Sequence, residues 1–155
     1  MPSYWLFPQS ILSRLSILGR YYTDMECGRR ARWTPPEAHD ETVRNLPDNV
    51  EEIAAEGVFD RYTVITREGV VLYDGADPVV FVKAWKNGFD RLLSSTEVEN
   101  ARKYLSEIEY SWKTLDSSNT EAKKVLNELH LELKRELSLR KFLTNAKKVS
   151  DLHLR

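Results

Sequence analysis

Cysteine is almost absent from this chain of 155 residues, in which Cys27 stands alone. A single thiol makes neither an intrachain disulfide nor a cysteine-based zinc site, and it fits a reducing, intracellular compartment. Histidine is scarce too, with His39, His130 and His153 in unrelated contexts. His39 sits between Ala38 and Asp40 in a polar patch, and neighbours along a helix do not converge on one ion. No metal and no cofactor are expected. No run of about 18 apolar residues occurs, so no membrane span is expected. HExxH, Walker, GxGxxG and GxSxG signatures are all missing. Net charge is only -1, which argues against a generic polyanion binder, and nucleic acid is not expected as a partner.

What the chain does contain is enough apolar material for a core, 41% of residues, with four Trp, seven Tyr and five Phe. Its charge is segregated. Residues 1–34 set five arginines against Asp24 and Glu26, whereas residues 35–76 carry ten acidic and three basic side chains. Residues 119–155 are basic again, with nine cations against five acids. The acidic middle therefore lies between basic ends.

Four segments are expected: an amphipathic start (1–23), a linker (24–36), one globular helical domain with a β-hairpin (37–145) and a flexible tail (146–155). The first 23 residues contain no acid, and Ile11, Leu15, Leu18 and Tyr22 share one helical face with Ser10 and Arg14 away from it. Acid-poor, Ser-rich and Arg-bearing, this stretch has the composition of a mitochondrial transit peptide, with an ordinary first helix or a membrane-surface anchor as the other readings. The expected location is the mitochondrial matrix or otherwise the cytoplasm. In the linker, Arg29, Arg30, Arg32 and Trp33 form a cluster able to touch phosphate and stack on a base, with a solvated linker or an arm docked on the acidic middle as the other readings.

Periodicity predicts a mainly α (α+β) fold: short helices and one β-hairpin followed by a long antiparallel helical hairpin. A helix from Glu37 should stop at Pro47, and Asp48 with Glu51 three residues on should cap a second one closed by Gly57. Arg61–Thr66 and Val70–Tyr73 read as strands around Gly69. Asp77-Pro78 opens a helix with Phe81, Trp85, Phe89 and Leu92 on one face. Val98, Ala101, Leu105, Ile108, Trp112 and Leu115 make a heptad seam, and Ala122, Leu126, Leu129, Leu133 and Leu137 answer it across the break at Asp116–Asn119. Glu128, Glu132 and Glu136 form a ladder of like charge.

Two short stretches resemble known families. VVLYDGADP resembles the opening of the DCC-type thiol–disulfide oxidoreductases, but Asp77 and Val80 stand at their cysteine positions, so that chemistry is absent. ETVRNLPDN followed by FDRYTVI is similar to part of a small matrix-side subunit of the cytochrome bc1 complex, with a longer spacing here. That resemblance implies a mitochondrial subunit.

The leading functional expectation is a non-catalytic structural subunit of a larger assembly, not an enzyme. It would dock other subunits or self-associate through coiled-coil-like helices. Leu131, Leu133, Leu137, Leu139 and Phe142 of the last helix, with Arg29, Arg30, Arg32 and Trp33 of the linker, are the candidate partner-binding residues. The alternatives are a winged-helix-like nucleic-acid-binding regulator with a helical dimerisation module, and a small enzyme using the Asp74/Asp77 loop. Acidic Glu51, Glu52 and Glu56 before the hairpin weigh against groove reading.

Overall fold

The computed structural model describes the backbone of residues 8–153 and the side chains of 10–147. The first residues of the amphipathic start and the end of the tail, His153's side chain included, lie outside that range. The order is α1 (Pro8–Glu26), α2 (Pro36–Ala55), β1 (Tyr62–Ile65), β2 (Val71–Gly75), α3 (Pro78–Asp90), α4 (Ser95–Leu115) and α5 (Thr120–His153). The fold is mainly helical with one antiparallel two-strand hairpin, as the periodicity predicted. The chain divides into two compact units: residues 1–34 with 92–155, and residues 35–91. Among the described residues no helix is long and apolar enough to cross a membrane.

The first unit is built on α1, α4 and α5. Ile11, Leu15, Leu18 and Tyr22 bury the face that their spacing foretold, against the seams of α4 and α5. The heptad residues Val98, Ala101, Leu105, Ile108 and Trp112 are buried, as are Ala122, Leu126, Leu129 and Leu133. The seam runs out at its end, where Leu115 is exposed. Arg14 and Ser10, expected away from the apolar face, are buried instead. The Arg14 guanidinium donates to Glu128 at 3.1 Å, which offsets the desolvation of its charge. Gly19 is a packing requirement, because a Cβ there would lie 1.7 Å from Tyr104 Oη. The tyrosine ring occupies the space that the missing side chain leaves.

The glutamate ladder of α5 is divided among three partners. Glu128 takes Arg14, Glu132 takes Arg135 at 2.7 Å, and buried Glu136 accepts from the Leu93 amide at 2.6 Å. Arg140 donates to the Leu93 carbonyl, so α5 holds both polar groups of one peptide residue. Helix α4 starts at a capping box. Ser94 accepts from the Glu97 amide while Glu97 accepts from the Ser94 amide. Helix α5 is capped by Asn119, whose Oδ1 accepts from the Ala122 amide at 2.9 Å.

The second unit holds α2, the hairpin and α3. Pro47 does not end a helix: α2 runs through it from Pro36 to Ala55. Proline removes one helical hydrogen bond, but buried His39 and Val43 before it and buried Ala54 after it belong to one helix that packs on α3. The expected cap at Asp48 therefore lies mid-helix, and Glu51 pairs with Lys86 of α3. Gly57 follows with φ +63. Ile53, Val58 and Phe59 are exposed.

The hairpin pairs Tyr62 with Gly75, Thr63 with Asp74 and Val64 with Tyr73, with an irregularity between Val64 and Ile65. Gly69 turns the chain at φ +83, a conformation that L side chains rarely adopt. Tyr62 and Val64 face inward, and Tyr62 stacks on Phe81 at 4.7 Å. Tyr73 and Asp77 together start α3. The Tyr73 hydroxyl accepts from the Asp77 amide at 2.8 Å, and the Asp77 carboxylate accepts from the amides of Val79 and Val80.

Candidate functional site

The best-defined polar constellation among the described residues lies in the first unit, where α1 ends and the loop 27–35 begins. Helix α1 closes on Gly28 at φ +65. The Gly28 amide donates to the Met25 carbonyl and the Arg29 amide to the Asp24 carbonyl, the paired closure of a Schellman turn. That turn reverses the chain. Trp33 consequently lies edge-on to Tyr21, with ring centroids 5.2 Å apart, although twelve positions separate them. The Trp33 indole N–H donates to Glu121 Oε2 at 3.0 Å.

Tyr21 is held in its turn. Its hydroxyl donates to Asp116 Oδ2 at 3.3 Å, and the Tyr22 hydroxyl donates to the same oxygen at 3.4 Å. Asn119 adds a third donor to that oxygen at 3.0 Å. Burial, more than the adjacent Asp116 charge, pushes both tyrosine hydroxyls above their ordinary value of 10.0, so they remain protonated donors. The α4–α5 turn thus fixes both aromatic rings that border the loop.

Four arginines lie on this stretch. Arg29 is spent on Asp24, with Nε donating to Oδ1 at 2.8 Å. Arg20, Arg30 and Arg32 are exposed, and among the described residues none of them makes an ion pair or hydrogen bond. Arg32 directly precedes Trp33 in the loop, and Arg20 directly precedes Tyr21 on α1. Two exposed guanidiniums in the same short loop as a fixed indole suit an anion, above all a phosphate carrying a flat or apolar group.

The other candidates are placed as follows. Arg30, Arg32 and Trp33 come together in this loop, whereas Arg29 is engaged by Asp24. Leu133 is buried in the core and Leu137 is packed against it. Leu131, Leu139 and Phe142 are exposed along α5. Asp74 accepts from Arg61 and, at 3.1 Å, from Thr63; hydrogen bonding to Arg61, then to Thr63, holds its carboxyl down at about 2. Asp77 is the α3 cap, so both carboxylates of the proposed enzymatic loop are committed to the hairpin and the helix start. His39 is buried with Nδ1 3.1 Å from Asp40, and His130 is 3.3 Å from Glu109. Among the described residues no three metal-ligating side chains gather. An apolar cleft of about 530 Å³ in the second unit, lined by Ala54, Ala55, Pro78, Val79 and Val82, has only Glu51, Lys83 and Lys86 as charged members.

Residues 4–77 match the family described as Zeta toxin. The match takes in α1, the arginine loop, α2 and the hairpin; α3, α4 and α5 fall outside it. A protein called Toxin zeta from Enterococcus hirae is 37% identical over 71 residues, 44% of this chain and 25% of that protein. Proteins of the same name from Streptococcus agalactiae and Streptococcus pyogenes are 45% identical over 47 residues, 30% of this chain and 16% of theirs. The chain thus spans about a quarter or less of the curated relatives it matches.

This similarity corrects two expectations. A non-catalytic structural subunit docking through its C-terminal hairpin is not what the matched family describes, and the enzymatic alternative is better supported. The helical hairpin that favours a docking role lies outside the match, and the matched residues carry no local catalytic motif. The fragments ETVRNLPDN and FDRYTVI lie inside the matched residues, so the likeness to a respiratory subunit gives way to a toxin-family likeness covering the whole stretch. The relatives are bacterial, which argues against a mitochondrial setting.

Arg30, Arg32 and Trp33 are candidates that the sequence itself offers, whereas the ties made by Tyr21, Asp116 and Glu121 emerge only in the fold. Arg20 was readable as a polar position opposite the apolar face of α1. Asp116 and Glu121 lie 95 and 88 positions from their partners, and no local pattern announces such pairs.

Proposed function

We propose that this chain is the anion-binding, substrate-side part of a bacterial phosphotransferase of the Zeta toxin type, working inside the cell on a small phosphorylated molecule. The observation that carries the reading is a coincidence of two facts. The residues similar to a family of kinase-type toxins hold Arg20, Arg30 and Arg32, which are exposed and, like Arg67 and Arg102, make no ion pair among the described residues, and Arg30 and Arg32 stand with Trp33 in one loop whose ends are tied down. Phosphoryl transfer is mostly positioning and charge stabilisation, which makes guanidiniums useful parts. The sequence has no Walker loop, so in this stretch the grip on phosphate falls to side chains and not to a glycine-rich backbone. Exposed Leu131, Leu139 and Phe142 remain available to a protein partner, a role subordinate to the anion site.

Titration of the full chain with inorganic pyrophosphate and with ATP at low salt tests this reading. Binding is expected, and replacing Arg20, Arg30 and Arg32 together by Ala should weaken it by about a hundredfold or more, since each charge-assisted bond contributes about tenfold. Equal affinity of the variant and the parent, or no binding by the parent, would overturn it.

A further inference from the structure

Helices α4 and α5 lie outside the residues similar to Zeta toxin, yet their connecting turn supplies the partners that shape the arginine loop. Two separate ties run to it. Glu121, in the first turn of α5, takes the Trp33 indole, and Asp116, the C-cap of α4, takes the hydroxyls of Tyr21 and Tyr22. The turn is itself stiff. The Trp112 indole donates to the Asn119 carbonyl at 3.1 Å, and the Asn119 amide donates to the Asp116 carbonyl at 2.9 Å. The Tyr21–Trp33 contact then joins the two ties. On the far side of the loop the Schellman turn at Gly28 fixes the other end. Between these supports, residues 30–32 make no hydrogen bond or ion pair among the described residues, and two of the three are exposed arginines.

We propose that the α4–α5 turn is a clamp for the arginine loop, with Asp116 and Glu121 as positioning residues that hold Arg30 and Arg32 ready for an anion. The role follows from entropy. A nine-residue loop left free would have to be ordered each time a ligand bound, and ordering it beforehand removes that cost from binding. Both clamp residues are carboxylates facing aromatic N–H and O–H donors, so they fix the rings without forming ion pairs with the guanidiniums. The cations are held in place while remaining available. This inference rests on the anion site proposed above but is separable from it by experiment.

The decisive comparison uses the full chain with Glu121→Leu, Glu121→Gln and Asp116→Ala. Glu121 is exposed, so its replacements threaten the fold little. Glu121→Leu removes the acceptor, while Glu121→Gln keeps an oxygen for the indole. Amide hydrogen exchange in residues 29–34 should quicken at least about fivefold in Glu121→Leu and in Asp116→Ala, and pyrophosphate affinity should fall by a similar factor. Glu121→Gln should stay within about twofold of the parent on both readings. Exchange at Leu105 and Leu129 should be unchanged in the Glu121 variants, which separates loosening of the loop from loss of the bundle. Unchanged loop exchange in Glu121→Leu, or faster exchange with unchanged pyrophosphate affinity, would overturn the clamp. If the parent chain binds no pyrophosphate, the anion site falls, and loop exchange alone then decides whether the clamp exists.

Discussion

The two units of this molecule bury apolar surface very differently. The three-helix unit gathers fifteen buried apolar side chains into one cluster, with Leu105, Ala122 and Leu129 wholly inaccessible. The unit of residues 35–91 buries Val43, Ala54, Tyr62, Val64 and Phe89, while Ile53, Val58, Phe59, Ile65, Val70, Val71, Leu72, Val79 and Val80 stay exposed. A two-strand hairpin has little means of its own to bury both faces. The difference teaches where stability and similarity lie. The match to Zeta toxin runs through α1 and into the thinly buried unit, but the densest packing comes from α4 and α5, which the match does not reach.

Three substitutions probe that contrast. The largest effect is expected from Leu105→Ala, which opens a cavity at a side chain with 0% exposure; urea denaturation should show a loss of about 3–4 kcal/mol. Val64→Ala in the thin unit should cost distinctly less, and equal losses would dissolve the contrast. Next, Pro47→Ala should restore a helical hydrogen bond in α2 and slow amide exchange in residues 36–55, a gain of about 1–2 kcal/mol. If exchange there is unaltered, Pro47 is not what limits the thin unit.

The smallest effect concerns pH. Tyr22 is raised above its ordinary value of 10.0, first by burial and then by the Asp116 charge. The folded state therefore binds a proton that the unfolded chain releases above about pH 10. The stability linked to Tyr22 is complete below that pH and is lost as pH rises toward the folded value. Melting temperatures should fall between about pH 9 and pH 11, and Tyr22→Phe should shallow that slope without abolishing it, because Tyr21 is shifted the same way. An identical slope in the variant would remove the linkage.

Much of the fold could be read from residues alone because its signals are local. The α4–α5 hairpin declared itself through heptad spacing, and Gly69 and Asp77 did what their types require. Pro47 misled because a proline's cost is weighed against packing that lies elsewhere in the chain. The amphipathic stripe of α1 was visible, but not its destination, since Leu15 buried in the helical core and Leu15 in a targeting segment have the same spacing. At the site, Arg30, Arg32 and Trp33 stood out by composition. Their supports did not, because a carboxylate that accepts from an indole 88 positions away resembles any surface glutamate until the chain is folded.

Helix α5 touches the chain at two instructive points. Glu121 holds Trp33 just before residue 35, and Glu136 with Arg140 holds the main chain of Leu93 just after residue 91. These anchors stand about 22 Å apart along the helix, fifteen residues at 1.5 Å each. The excursion between them leaves from one peg and returns to another on the same rod. At the return peg the grip is on the backbone, so it does not depend on which side chain stands there. Such a layout is modular. The 57 residues of the second unit, 35–91, are free to lengthen, shorten or be exchanged over evolutionary time while the bundle keeps its register.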